Sequence, residues 1–172
     1  LAQSNDEADS NSKSGQAGVV TYSSATADID FNSTVTSVTV GDGALIDAEE
    51  TLLIKSAASI DADAHAETDN PAVSAATGAV ASSDVDIDTA QFTPINDAIL
   101  IGKNVEIRSE VTSLKAEAEA DAVAGWNLDA DATSTAKVDT NMSTTVTVTD
   151  GATITGLNSV KIEAEYMSVS TK

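Results

Sequence analysis

The feature that most constrains this chain is a repeat. Gly43-Ala44-Leu45-Ile46-Asp47-Ala48 returns as Asp97-Ala98-Ile99-Leu100-Ile101-Gly102 and again as Gly151-Ala152-Thr153-Ile154-Thr155-Gly156, so the starting positions are separated by 54 and then by 54. Each block leads through a short polar turn into an alternating segment: Leu52-Leu53-Ile54-Lys55-Ser56, Val105-Glu106-Ile107-Arg108-Ser109 and Val160-Lys161-Ile162-Glu163-Ala164. Asp28-Ile29-Asp30, Asp84-Val85-Asp86 and Lys137-Val138-Asp139 recur at nearly the same spacing. Matched segments at a fixed period imply one structural unit stacked on itself, here with units of approximately 1–42, 43–96, 97–150 and a partial 151–172.

Inside a unit the period is two, as in strands with one buried face. Over residues 52–68 the even positions are apolar or small, and from Ser59 onward the odd positions carry Asp61, Asp63, His65, Glu67 and Asp69. A strand of that length would run about 55 Å at roughly 3.3 Å per residue, so the small stretch from Ser56 to Ser59 is expected to mark a corner. Gly41-Asp42-Gly43, Asp69-Asn70-Pro71, Gly102-Lys103-Asn104, Asp150-Gly151 and Gly156-Leu157-Asn158 are the turn signals.

What fills the interior follows from composition. The chain has 29 alanines, only five aromatic residues, 48 valine, isoleucine or threonine residues and no cysteine. Helix is disfavoured, and a wide core would be poorly filled. The pattern therefore predicts an all-β parallel β-solenoid, thin enough for alanine to span, whose repeat divides into three coils of 18 or two of 27. Its rod would be very roughly 30 to 45 Å long at about 4.8 Å per coil. Ile46, Ile54, Ile107, Ile154 and Ile162 are expected to be buried and stacked. The alternative is an antiparallel β-sandwich of hairpins turning at Asp69-Asn70-Pro71.

A formal charge of −20 from 28 acidic and 8 basic residues excludes a nucleic-acid groove. No apolar run reaches the roughly 20 residues that span a bilayer, so membrane insertion is not expected. With one histidine, His65, no Gly-x-Ser-x-Gly elbow and one arginine, Arg108, neither a hydrolase triad nor a uronate-neutralising lyase groove can be assembled, and no enzyme activity is expected.

The carboxylates are the candidate site. Asp84, Asp86 and Asp88 alternate with Val85 and Ile87 as a strand does and lack the glycine and glutamate of an EF-hand loop. Outward carboxylates two apart on a strand are roughly 7 Å apart, too far for one calcium ion, whereas neighbours on stacked coils are about 4.8 Å apart. Positions related by 54 would then be two or three coils apart and not touch. A Ca2+ bridge is expected to use Asp61 or Asp63 with Asp84 or Asp86, against a plain solvated face that blocks lateral aggregation. Trp126 is expected to fill a corner, the alternative being a stacking platform for a sugar.

The Ala-acid alternation of Asp61-Ala62-Asp63-Ala64-His65-Ala66, the Gly78-Ala79-Val80 turn and strand, Asp84-Val85-Asp86, and the Asp-Gly-Ala-x-Ile and Val-x-Ile-x-Ala segments resemble the tandem repeats of giant secreted bacterial adhesins. These are the leukotoxin-like and filamentous-haemagglutinin-like β-helix repeat proteins. The resemblance implies a right-handed β-helical shaft, an extracellular or cell-surface location, and a role in adhesion or matrix, and it carries over no catalytic residue. The resulting expectation is a structural repeat module of a bacterial extracellular filament or adhesin shaft, read as a piece of a longer chain. The alternatives are a self-assembling filament subunit or a divalent-cation or glycan-binding module. Its expected partners are further repeats or copies of itself, joined head to tail, and surface glycans.

Overall fold

The computed structural model describes residues 1–16, 20–70, 76–125 and 130–172. Among these there is no helix. The strands are β1 (Ala2–Gly15), β2 (Val20–Ser37), β3 (Leu45–Asp47), β4 (Thr51–Asn70), β5 (Ala76–Ile95), β6 (Ile99–Ala124), β7 (Ala130–Val148), β8 (Thr153–Tyr166) and β9 (Val169–Thr171). Two sheets result. The first runs β1, β4, β6, with β3 end to end with β4 along one edge of β6 and β8 and β9 along the other; the second runs β2, β5, β7. Every ladder is parallel, which rules out the antiparallel sandwich.

The register corrects the expected coil length. Ala2 pairs with Ser56, Ser56 with Ser109 and Ser109 with Ala164; in the second sheet Asp28 pairs with Asp84 and Asp84 with Lys137. Partners are thus one whole repeat apart, and among the described residues no ladder joins residues 18 or 27 apart. The chain passes from one sheet to the other and back before it meets itself. The first sheet is four rows deep, so the stack measures about 14 Å between its outer rows at roughly 4.8 Å each, not 30 to 45 Å.

Alternation holds along most strands and places the core between the sheets. Ala25, Ala27 and Ile29 of β2, Ile60, Ala62, Ala64 and Ala66 of β4, Val85 and Ile87 of β5, and Leu114 and Ala116 of β6 form one buried cluster. A second comprises Val40, Ile54, Ile95, Ala98, Leu100, Val105 and Ile107. Buried hydroxyls also join the sheets: Ser109 Oγ donates to the Gln91 carbonyl at 2.9 Å, and Ser83 Oγ to the Ala64 carbonyl at 2.7 Å. A serine is short, so sheets that it can bridge are close, and alanine is the residue that fits between them. Ala64→Leu is therefore expected to destabilise by about 1–3 kcal/mol or more through overpacking. Equal urea midpoints for the variant and the parent chain would contradict the close approach.

The expected isoleucine ladders form, but not all are covered. Ile54, Ile107 and Ile162 share a row, as do Ile46, Leu100 and Ile154. Ile54 and Ile107 are buried, Ile46 and Ile154 are half-buried, and Ile162 is 47% exposed. Ile107 lies between Ile54 and Ile162 in its row, whereas Ile162 is in β8, which pairs with β6 on one side and has no described strand on the other.

The turn signals divide. Gly43, Asp97 and Gly151, one repeat apart, have φ of 72°, 39° and 90°, so the same left-handed turn recurs in each unit. Gly102 and Gly156 instead lie within β6 and β8, beside a register shift. The corner expected at Ser56 to Ser59 is an irregularity inside a continuous β4, where Ser56, Ala57 and Ala58 are buried in succession and the register slips before Ser59. Gly78 is in the body of β5, where a Cβ would lie 2.8 Å from the Tyr22 ring; the aromatic side chain occupies the space that glycine leaves. Pro71 and Trp126 lie outside the described residues.

Candidate functional site

The alternation that buries alanine sends the acids to two outer faces, one on each sheet. On the first sheet the rows read Glu7, Asp61, Lys115; Asp9, Asp63, Glu117; Asn11, His65, Glu119; and Lys13, Glu67, Asp121. On the second they read Asp28, Asp84, Lys137 and Asp30, Asp86, Asp139. Asp61 and Asp63 therefore face away from Asp84 and Asp86, with the core between them, and the expected bridge does not form. Residues about 54 apart are immediate neighbours, so the carboxylates that meet are those one repeat apart.

Within rows, lysines pair with carboxylates one repeat away. Lys13 Nζ is 2.7 Å from Glu67, Lys115 Nζ 3.3 Å from Asp61 and Lys172 Nζ 2.7 Å from Glu117; on the other sheet Lys137 contacts both Asp139 and Asp84. These exposed pairs contribute little stability individually. They do set local ionisation. The hydrogen bond from Lys13, and then its charge, hold Glu67 below the usual carboxylate range, and Lys172 does the same to Glu117. Lys13, Lys115, Lys137 and Lys172 are correspondingly raised, each first by the hydrogen bond to its carboxylate.

The sign of the pH dependence follows. The lowered carboxylates contribute above their usual range and lose that contribution as pH falls through their lowered values. The raised lysines contribute below their ordinary value and lose it as pH rises through the raised one. In Lys13→Met, the Glu67 carboxylate should titrate back in the ordinary range. Carbon-detected NMR titration checks this, and an unmoved Glu67 would show that the pair is not formed in solution.

Like charges also meet along rows. Asp9, Asp63 and Glu117, and likewise Asp30, Asp86 and Asp139, put carboxylates on adjacent strands, and of these Glu117 and Asp139 each hold a lysine. Two such charges at 4.8 Å repel by roughly 0.9 kcal/mol even at the dielectric constant of water. Sodium chloride is therefore expected to raise the melting temperature. A melting curve that is flat or falls with salt would mean that the ion pairs outweigh the repulsive rows.

Among the described residues one group brings three metal-capable side chains together. The ligand atoms of His65, Glu119 and Asp121 lie within 4.8 Å of one another. His65 Nδ1 is 3.5 Å from Glu119 Oε2, and the group offers one imidazole and two carboxylates at the surface. The alternation of acids exposed these residues in the sequence; their meeting depends on the 54-residue register.

One charged pair lies away from the outer faces. Lys55 contacts Glu110, whose side chain is 1% exposed and whose second oxygen, Oε2, is buried without a hydrogen-bond partner among the described residues. Nothing in the alternation of the sequence singles it out, because Glu110, beside Ala57, is buried in succession with Ser109 and Val111 just before the register slip.

Comparison with protein-family models, curated proteins and solved structures returns no match.

Proposed function

We propose that the chain is a segment of a two-sided parallel β-solenoid in which one 54-residue repeat makes one coil, and that it serves as a structural shaft module of a bacterial extracellular filament or adhesin. The observation that carries this reading is the identity of two periods: the sequence repeat and the pairing distance are the same. Like residues therefore stack in rows, and a further repeat adds a further row without changing any contact. A stack extended in this way is stiff along its axis and displays charge on both faces. Further repeats, or copies of the chain joined head to tail, are its partners. Electron microscopy of the native protein, labelled with antibody to this chain, should show elongated particles at the cell surface or in the matrix. Compact particles inside the cell would overturn the reading.

A second reading, divalent-cation binding on the acidic faces, is favoured by the row of Asp30, Asp86 and Asp139. Calcium should then raise the melting temperature beyond what sodium chloride does at equal ionic strength, with heat of binding in titration calorimetry. Equal effects of the two salts would leave only screening.

A further inference from the structure

His65 is the chain's one histidine, and the register sets it beside two acids of the next repeat. Glu119 pairs with it directly across the ladder that joins β4 to β6, and Asp121 lies two residues further along β6 on the same outer face. The group is therefore complete within two adjacent strands.

Charge and geometry both favour a cation there. Glu119 and Asp121 are exposed, and among the described residues neither forms an ion pair with a lysine or arginine. Glu67, beside Asp121 in its row, differs: Lys13 Nζ holds it at 2.7 Å. With a neutral imidazole the three side chains carry two negative charges, which one divalent ion balances. Donor atoms on a tetrahedral zinc ion stand about 3.3–3.4 Å apart, at bond lengths of about 2.0–2.1 Å. His65 Nδ1 and Glu119 Oε2 are already 3.5 Å apart. All three ligand atoms lie within 4.8 Å of one another, so a movement of about 1.4 Å by surface side chains closes the set. The imidazole also separates this group from the purely acidic rows. Calcium and magnesium take oxygen ligands, whereas zinc takes imidazole nitrogen and carboxylate oxygen together.

We propose that His65, Glu119 and Asp121 form a surface zinc site, with Nδ1 of the imidazole and one oxygen of each carboxylate as ligands and water in the fourth position. The ion bridges one repeat to the next, and so ties β4 to β6 at their outer face. The inference needs only the register of those two strands. It stands apart from the shaft reading and from calcium binding at Asp30, Asp86 and Asp139, which belong to the other sheet.

Because His65 is the one histidine, its imidazole resonances report ligation directly. When chelator-treated protein is titrated with zinc chloride at neutral pH, those NMR signals should move and saturate at one equivalent, with a matching single-site isotherm in calorimetry. Calcium chloride at the same concentration should leave them in place. Loss of an outer partner costs metal sites about 10–100-fold in affinity, so loss of a ligand should cost at least about tenfold. That weakening is expected in His65→Ala and, at the exposed positions, in Glu119→Gln and Asp121→Asn. Glu7→Gln, an exposed acid in another row, should bind zinc as the parent chain does. Zinc should raise the melting temperature of the parent chain but not of His65→Ala, since an ion bound only by the folded form stabilises it. Imidazole signals unmoved by zinc, or moved equally by calcium, would overturn the site. So would a His65→Ala chain that binds zinc as tightly as its parent.

Discussion

Ile107→Asp is expected to abolish cooperative folding at 25 °C. Ile107 is fully buried, sits between Ile54 and Ile162 in its row, and belongs to the cluster with Ile95, Leu100 and Val105. An aspartate there has only apolar neighbours in that cluster, so it must be buried charged or be protonated, and either costs several kcal/mol. Against a total stability of about 5–15 kcal/mol, a loss of that size empties the native state. The matched control is Ile162→Asp, the same substitution one row away, where the side chain is 47% exposed and the carboxylate reaches water. Its cost should be within about 1–2 kcal/mol, in the range of ordinary point changes. Circular dichroism during urea titration separates the two. Equal losses would mean that the last row is covered in solution, and equal tolerance would mean that the row is not in the core.

The second large effect is expected at Lys55. Lys55→Met leaves the Glu110 carboxylate buried without its counter-charge, and the rest of its surroundings already leave Oε2 without a partner. Removal of one member of a buried pair costs about 3–5 kcal/mol, because the remaining charge keeps its desolvation penalty. The double variant Lys55→Met with Glu110→Leu removes both charges and should recover most of that loss. Denaturant midpoints for the two singles and the double close the cycle. Additive losses would show that the two side chains do not interact.

Both predictions concern positions at which the sequence is informative to different degrees. Ile107 could be assigned inward from its alternation with Glu106 and Arg108 alone, since side-chain direction along a strand is a local property. Glu110 could not. It is an acid at the end of the Arg108-Ser109-Glu110 run, and it is buried where alternation breaks, Ser109, Glu110 and Val111 lying in succession beside the buried Ser56, Ala57 and Ala58, a break that depends on the pairing of the two strands. The break in alternation from Ser56 to Ser59 was visible as small residues, but whether such a stretch bends the chain or forms a bulge depends on what pairs with it.

The carboxylate faces divide in the same way. That Asp61, Asp63, Asp84 and Asp86 point outward follows from period two. That the first pair and the second lie on opposite sides of the molecule, and that His65 meets Glu119 and Asp121, follows from how far the chain travels before it meets itself. Spacing in sequence gives the repeat length, but it does not say how many strand rows one repeat makes. A coil of 18 residues and one of 54 produce the same alternation and the same repeat.

By itself, then, the sequence determined the strand content, the inward and outward faces, the alanine interior and the 54-residue repeat, because these depend on neighbours along the chain. The tertiary structure alone decided that one repeat is one row, that Ile162 is uncovered while Ile107 is sealed, and that Asp6 lies in an apolar row. Each of those facts depends on which distant strand stands beside or opposite the residue, and that partner is fixed only when the two sheets close on their common core.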